Sequence, residues 1–279
     1  MRQQISGRGA AEGITPPRKI LALLKFFDPP SRGGWFARRV LPFMVAAMTD
    51  QNALKRAVAA KALEYVQDGM KLGLGSGSTA EIFVEQLAPR VRGGEKLLCV
   101  PTSERTAALA RKLGLTLASL DDLAPLDLTI DGADEADRNL DLIKGGGGML
   151  LREKIVAAAS RRMIVIADES KLVPRLGKFP LPVEVVEFGH KSIAQRLGTT
   201  LVRAGYSSAP LTLRQRDGQV FKTDGGNVIY DIAFGAIQNA PQLAAAISAV
   251  PGVVEHGLFI GIATTLLIAG PGEIEVINR

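Results

Sequence analysis

From residue 49 onward, short apolar runs alternate with stretches whose apolar residues recur every three or four positions. Leu54, Val58, Ala62, Leu63 and Val66 fall on one face of a helix, which predicts a helix from a cap at Asp50 or Asn52 to about Gln67. Apolar runs at 70–74, 97–100, 115–118, 126–130 and 163–167 read as strands, with helical spacing over 80–87, 104–113 and 150–160. Strands that are apolar almost throughout, separated by helices, predict a parallel sheet covered on both faces. After Lys171 the pattern changes: strand 180–187, helix 192–204, strands 211–216 and 220–223 around Asp217-Gly218-Gln219, strand 227–232, helix 241–249 and strand 253–259. This β-α-β-β-α-β order predicts a small ferredoxin-like module. A last apolar run, 264–268, suits the first sheet. The fold class is therefore α/β: a Rossmann-like parallel-sheet domain, 49–176 with 260–279, and a smaller ferredoxin-like α+β domain, 177–259.

Residues 1–48 follow neither pattern. Their apolar bursts at 20–24 and 40–48 are too short to span a membrane. They hold eight basic residues against Glu12 and Asp28, which accounts for the whole +6 net charge, so the rest of the chain is neutral. The segment reads as a disordered basic extension, with Met48 as an alternative start and a targeting peptide as the competing expectation. A neutral body argues against a nucleic-acid partner and the short bursts against a membrane one.

At 279 residues with 47% hydrophobic content the chain has ample material for a core. A single cysteine, Cys99, lies in an apolar run and suits a buried, inert thiol in a reducing cytoplasm. One cysteine and two histidines are too few for most zinc sites, and nothing in the spacing asks for an all-carboxylate magnesium site. His190 and His256 read as structural or surface residues.

Unusual chemistry concentrates elsewhere. Gly73-Leu74-Gly75-Ser76-Gly77-Ser78-Thr79 links a strand to a helix, where amides and the helix dipole favour an anion. It lacks the spacing of a dinucleotide fingerprint and the lysine of a nucleoside-triphosphate loop, so a small phosphorylated or carboxylated ligand fits better. Asp131-Gly132-Ala133-Asp134-Glu135 stands at the carboxyl end of the 126–130 strand, where open parallel sheets bind ligands. Lys144 opens the run Gly145-Gly146-Gly147-Gly148, which is costly to order and is flanked by Ile143 and Met149-Leu150-Leu151. Glu153 lies in the first turns of the next helix and points back toward that run. Lys171, in Asp168-Glu169-Ser170-Lys171, lies at the same sheet edge. Carboxylates that move protons beside a lysine and glycine amides that hold an anion together suggest an active site.

These motifs, with Arg152-Glu153-Lys154, Gly177-Lys178-Phe179-Pro180-Leu181-Pro182-Val183-Glu184 and Pro251-Gly252-Val253-Val254, occur in an order that resembles the ribose-5-phosphate isomerase type A family from residue 49 to the end. The resemblance implies interconversion of ribose 5-phosphate and ribulose 5-phosphate without a cofactor, by a homodimer or homotetramer. It implies Glu153 as general base, and substrate contacts from Ser76, Gly77, Ser78, Thr79, Asp131, Gly132, Ala133, Asp134, Lys144, Gly145, Gly146, Gly147 and Lys171; the phosphate is expected on the Ser76–Thr79 turn with a lysine, either Lys55 or Lys171. Asp131, supported by Asp134, is expected to open the sugar ring and move the proton between O1 and O2. Lys144 and the glycine amides would stabilise the enediolate. Two other readings compete: a coenzyme A transferase with a nucleophilic glutamate, and a sugar-phosphate-sensing regulator whose basic tail grips DNA.

Overall fold

Seven strands make up the largest sheet of the structure, a computed structural model that describes residues 51–279. The expectations for residues 1–48 and for a cap at Asp50 lie outside the described residues. Helix α1 (Gln51–Leu63) is followed by β1 (Lys71–Leu74), α2 (Ser78–Arg92), β2 (Leu98–Pro101), α3 (Glu104–Lys112) and β3 (Thr116–Leu117). A short helix α4 (Leu120–Leu123) leads to β4 (Leu128–Asp131), β5 (Glu135–Ala136) and β6 (Leu142–Ile143), then to helix α5 (Leu150–Ala158) and β7 (Met163–Asp168). Next come β8 (Leu181–Val185), α6 (His190–Arg203), β9 (Leu211–Leu213), β10 (Gln215–Arg216), β11 (Gln219–Val220), β12 (Val228–Ile232) and α7 (Ala240–Ser248). Strands β13 (Val253–His256), β14 (Leu258–Phe259), β15 (Thr265–Ala269) and β16 (Glu275–Asn278) end the chain.

The large sheet has the order β16-β15-β7-β4-β1-β2-β3, parallel throughout except for the β15–β16 pair. Strand β7 shows why its sequence is apolar at every position. Ile164 and Ile166 pack into one core with α1 and α2, while Met163, Val165 and Ala167 pack into another with Ala157 of α5 and Phe259. The chain travels from β1 out to β2 and β3, then returns to β4 on the other side of β1. Loops leaving the carboxyl ends of β1 and β4 therefore turn opposite ways and open a crevice between them.

A second sheet has the antiparallel order β13-β8-β12-β9. Numbered within the module this is 4-1-3-2, the ferredoxin-like arrangement expected from the β-α-β-β-α-β order. Its core joins Val183 and Val185 to Leu197 of α6 and Ile247 of α7. Strands β10 and β11 pair through Asp217 and Gly218, both at positive φ (53° and 75°), as in a type I′ hairpin.

Several boundaries differ from expectation. Helix α1 ends at Leu63 rather than near Gln67, and Tyr65 and Val66 continue with bonds to the carbonyls three residues back. Helix α2 runs past Pro89 to Arg92, its end tied down by Arg90, which donates to the carbonyls of Leu63 (2.7 Å) and Val66 (3.0 Å). The expected strand 253–259 is two strands in two sheets. At Gly257 the chain crosses between them, and a Cβ there would lie 2.3 Å from the Lys144 carbonyl. Strands β5, β6 and β14, of two residues each, form a three-stranded sheet too short to leave a period in the sequence.

Phe83, among the largest fully buried side chains, packs on the α1 side of the sheet. Phe83→Ala should cost about 3–5 kcal/mol in urea unfolding relative to wild type. A cost under about 1 kcal/mol, ordinary for a surface position, would contradict this packing.

Candidate active site

The crevice is a cavity of about 190 Å³ walled by the loops after β1 and β4, the glycine run and the start of α5. Close approach at its floor requires a glycine: a Cβ on Gly75 would lie 2.2 Å from Asp131 Oδ1. Helix α2 points its N-terminus at the cavity, and the amides of its first turn have no acceptor within the helix. Lys55 of α1 reaches the same end, its Nζ donating to Ser78 Oγ at 2.9 Å. Lys171 comes in from the opposite wall on a 3₁₀ turn (Glu169–Lys171) capped by the Asp168 carboxylate.

Besides Asp168, which caps the 3₁₀ turn, three charged side chains at the crevice are almost completely withdrawn from solvent and lie together: Asp131 (0% exposed), Lys144 (3%) and Glu153 (4%). Lys144 Nζ lies 2.9 Å from Asp131 Oδ2 and 3.4 Å from Glu153 Oε2, and donates to the Gly132 carbonyl at 2.7 Å. Burial alone would discharge this lysine, but the carboxylates of Asp131 and Glu153 hold its pKa above the ordinary value. The lysine can neutralise only one of its two acids. Asp131 has the shorter approach and also accepts from the amides of Ser76 (3.1 Å) and Gly132 (2.7 Å). Burial raises its pKa against the pull of Lys144 and those amides. Glu153 is the less well satisfied acid. Burial pushes its pKa up to about 8, opposed by Lys144 and reinforced by the charges of Asp131 and Asp134. It stands in the first turn of α5 and faces the cavity.

The structure redistributes the expected contacts. Asp131 does not line the cavity; its oxygens are spent on Lys144 and two amides, whereas Asp134 is on the wall. The Gly146 amide donates to Asp134 Oδ2 at 2.7 Å, while the Gly147 N–H has no acceptor among the described residues. Ser76 borders the cavity but turns its hydroxyl into a buried cluster with Thr102 (2.7 Å), Ser103 (2.9 Å) and Thr106 (3.2 Å). Gly77, Ser78, Thr79, Gly132, Ala133, Gly145, Gly147 and Lys171 all border the cavity. Gln51 and Asp168 also border it. Asp168 could have been found from its strand-end position; a glutamine at the start of a helix carries no such signal.

Lys154 is not a surface residue. Its Nζ donates to Glu255 Oε1 and the His256 carbonyl, both at 2.7 Å, and ties α5 to β13. His256 is buried against Ser248, its pKa pushed down to about 4 by burial and the neighbouring Lys154. Burial pushes the Cys99 thiol up to about 12, so it is inert.

Residues 98–273 match the family model described as ribose 5-phosphate isomerase A (phosphoriboisomerase A). The chain is 56% identical to the ribose-5-phosphate isomerase A of Brucella suis biovar 1 (strain 1330) over 232 residues, 83% of this chain and 100% of that protein. It superposes on ribose 5-phosphate isomerase from Plasmodium falciparum with a TM-score of 0.78 at 39% identity, covering 82% of this chain and 99% of that one. A D-ribose-5-phosphate isomerase solved in complex with phospho-erythronic acid gives 0.77 at 34% identity, covering 83% and 100%.

A carboxyl group near 8 in the folded chain and near 4.5 when unfolded binds more protons in the folded state between those values. Stability then falls as pH rises through that window and levels off above it. Glu153→Gln should therefore raise the Tm above pH 8, with little change below pH 4.5. A lower Tm for the variant at pH 8.5 in calorimetry would contradict a strained carboxylate.

Proposed function

The chain belongs to the ribose 5-phosphate isomerase A family, and we propose that Glu153 is the base that carries its proton transfer. The enzyme interconverts D-ribose 5-phosphate and D-ribulose 5-phosphate, a step of the pentose phosphate pathway. Aldose–ketose interconversion requires a proton to leave C2 and another to arrive at C1, and one carboxylate between the two carbons can do both. Glu153 takes the C2 proton, and the electron pair becomes the C1–C2 double bond with negative charge on O1. Asp134 passes the O2 hydroxyl proton to O1, which moves the charge to O2. Glu153 then returns its proton to C1, leaving the C2 ketone and both carboxylates as they began.

Lys144 Nζ and the Gly147 amide face the region where this charge develops, and a well-placed donor of this kind is worth about 3 kcal/mol in the transition state. Asp131, assigned from the sequence to ring opening, is reassigned to holding Lys144, because its carboxylate is walled off from the cavity. Asp134 takes the ring-opening role. The phosphate sits on the N-terminus of α2 with Ser78, Thr79, Lys55 and Lys171. The sequence left those two lysines as alternatives, and their places on one cavity support using both. The buried Cys99, the single cysteine of the chain, supports a reducing cytoplasm. No helix among the described residues is long and apolar enough to cross a membrane.

The observation that carries this reading is a buried glutamate, raised toward neutral pKa, on the cavity wall 3.4 Å from a lysine. Glu153→Gln should lower kcat about 10³-fold and abolish hydrogen exchange at C2, while phospho-erythronic acid still binds. Turnover within tenfold of wild type would remove Glu153 as the base. In the wild-type enzyme kcat/KM should rise with pH through an apparent pKa near 8, and a flat profile from pH 6 to 9 would contradict this. Among the described residues no group of three or more His, Cys, Asp or Glu is arranged to hold a metal ion. Exhaustive EDTA treatment should leave turnover unchanged; loss restored by a divalent cation would overturn a purely protein-borne mechanism.

A further inference from the structure

The glycine run is gripped from the second sheet by an arginine that the proton transfer does not use. Arg214 lies between β9 and β10, where the chain leaves the four-stranded sheet to form the hairpin. Its side chain is 11% exposed. Asp231 on β12 fixes the guanidinium from one side, accepting from Nε at 2.8 Å and from Nη2 at 2.5 Å. The remaining nitrogen, Nη1, donates to the Gly145 carbonyl at 2.8 Å and to the Gly146 carbonyl at 3.2 Å. Arg216 approaches the next carbonyl, Gly147, at 3.5 Å, and its guanidinium lies 4.4 Å from the Phe221 ring.

Peptide units are planar and trans, so each N–H points away from the carbonyl of its own unit. The Gly145 carbonyl shares a unit with the Gly146 N–H, and the Gly146 carbonyl with the Gly147 N–H. The Gly145 carbonyl also accepts from the Gly148 amide at 2.9 Å, whereas among the described residues the Gly146 carbonyl accepts from Arg214 alone; these bonds draw both carbonyls to one side, which directs both amides to the other. There the Gly146 amide meets Asp134 at 2.7 Å, and Gly147, whose amide has no acceptor among the described residues, borders the cavity. Four consecutive glycines have no side chains of their own to resist a peptide flip. The bidentate Asp231 pair fixes the plane of the guanidinium fork, which a lysine could not reproduce.

We propose that Arg214, locked by Asp231, is a positioning residue that sets the peptide orientation of residues 145–147, so that the Gly147 amide meets the enediolate and Asp134 is held against the loop. This rests on the reading of Lys144, Asp134 and Glu153 as the enediolate site. It separates two effects that a merely structural tether would not. The proposed phosphate grip lies on α1, α2 and the 3₁₀ turn, whereas the bonds of Arg214 go to Asp231 and the glycine run, so substrate capture should survive while transition-state stabilisation is lost.

The test measures Arg214→Ala, Arg214→Lys and Asp231→Asn in the full chain alongside Glu153→Gln, with circular dichroism and Tm fixing a temperature at which each is folded. For both Arg214 variants we expect kcat at least 30-fold lower with KM changed less than threefold. Asp231→Asn should be intermediate, and added guanidinium ion should partly restore kcat in Arg214→Ala but not in Glu153→Gln. Arg214→Lys and Asp231→Asn decide the matter if Arg214→Ala does not fold. Wild-type kcat in folded Arg214 variants, or a fall in apparent kcat that only tracks the folded fraction, would overturn the proposal. Were Glu153→Gln inactive and the Arg214 variants fully active, the positioning role alone would fail. An active Glu153→Gln would instead bring down the base assignment.

Discussion

Two carboxylates share one lysine, all three side chains almost withdrawn from solvent, and the charge imbalance this leaves governs the rest of the structure. Lys144 is close enough to Asp131 to satisfy it, with two backbone amides completing the shell. Glu153 receives only the longer, weaker approach. In water such a difference would be negligible. At low effective dielectric it decides which acid keeps a proton near neutral pH. A carboxyl group poised there gains and loses a carbon-bound proton at comparable cost, which a reversible isomerisation requires.

The fold exists to hold this arrangement in register. Reversal of strand order beside β1 opens the crevice and brings the anion-binding start of α2 against the acids that follow β4. Helix α5 carries Glu153 on its first turn and is anchored by Lys154 to β13, so the base is held by both sheets. The small sheet joining β5, β6 and β14 positions Lys144 directly: its amide bonds the Gly257 carbonyl, where only a glycine fits. One end of the crevice is suited to a phosphate and the other to a developing oxyanion, and each is built from different elements.

Much of this was legible in the sequence, for identifiable reasons. Strands buried on both faces are apolar at every position, so β4 and β7 declared themselves. The Asp217-Gly218 turn announced its hairpin. The strand-end acids and the glycine run stood out because no ordinary element has a use for them. What stayed hidden depends on direction rather than composition. Nothing in Asp131-Gly132-Ala133-Asp134 reveals that the first acid turns inward to the lysine and the second outward to the cavity. The Ser76 hydroxyl likewise points at Thr102, Ser103 and Thr106, which lie far along the chain. Arg214 was invisible because it sits in an ordinary strand-like stretch, and its partners are backbone carbonyls about seventy residues away.

The unequal sharing of Lys144 can be read directly at the carbon of the Glu153 carboxyl group. Carbon-13 NMR of protein labelled at the glutamate side-chain carboxyl, with the resonance assigned by its loss in Glu153→Gln, follows that one group through a pH titration. The account predicts a midpoint near 8. A midpoint in the ordinary glutamate range near 4.5 would mean that Glu153 is as well neutralised as Asp131, and the proposed origin of its basicity would be wrong.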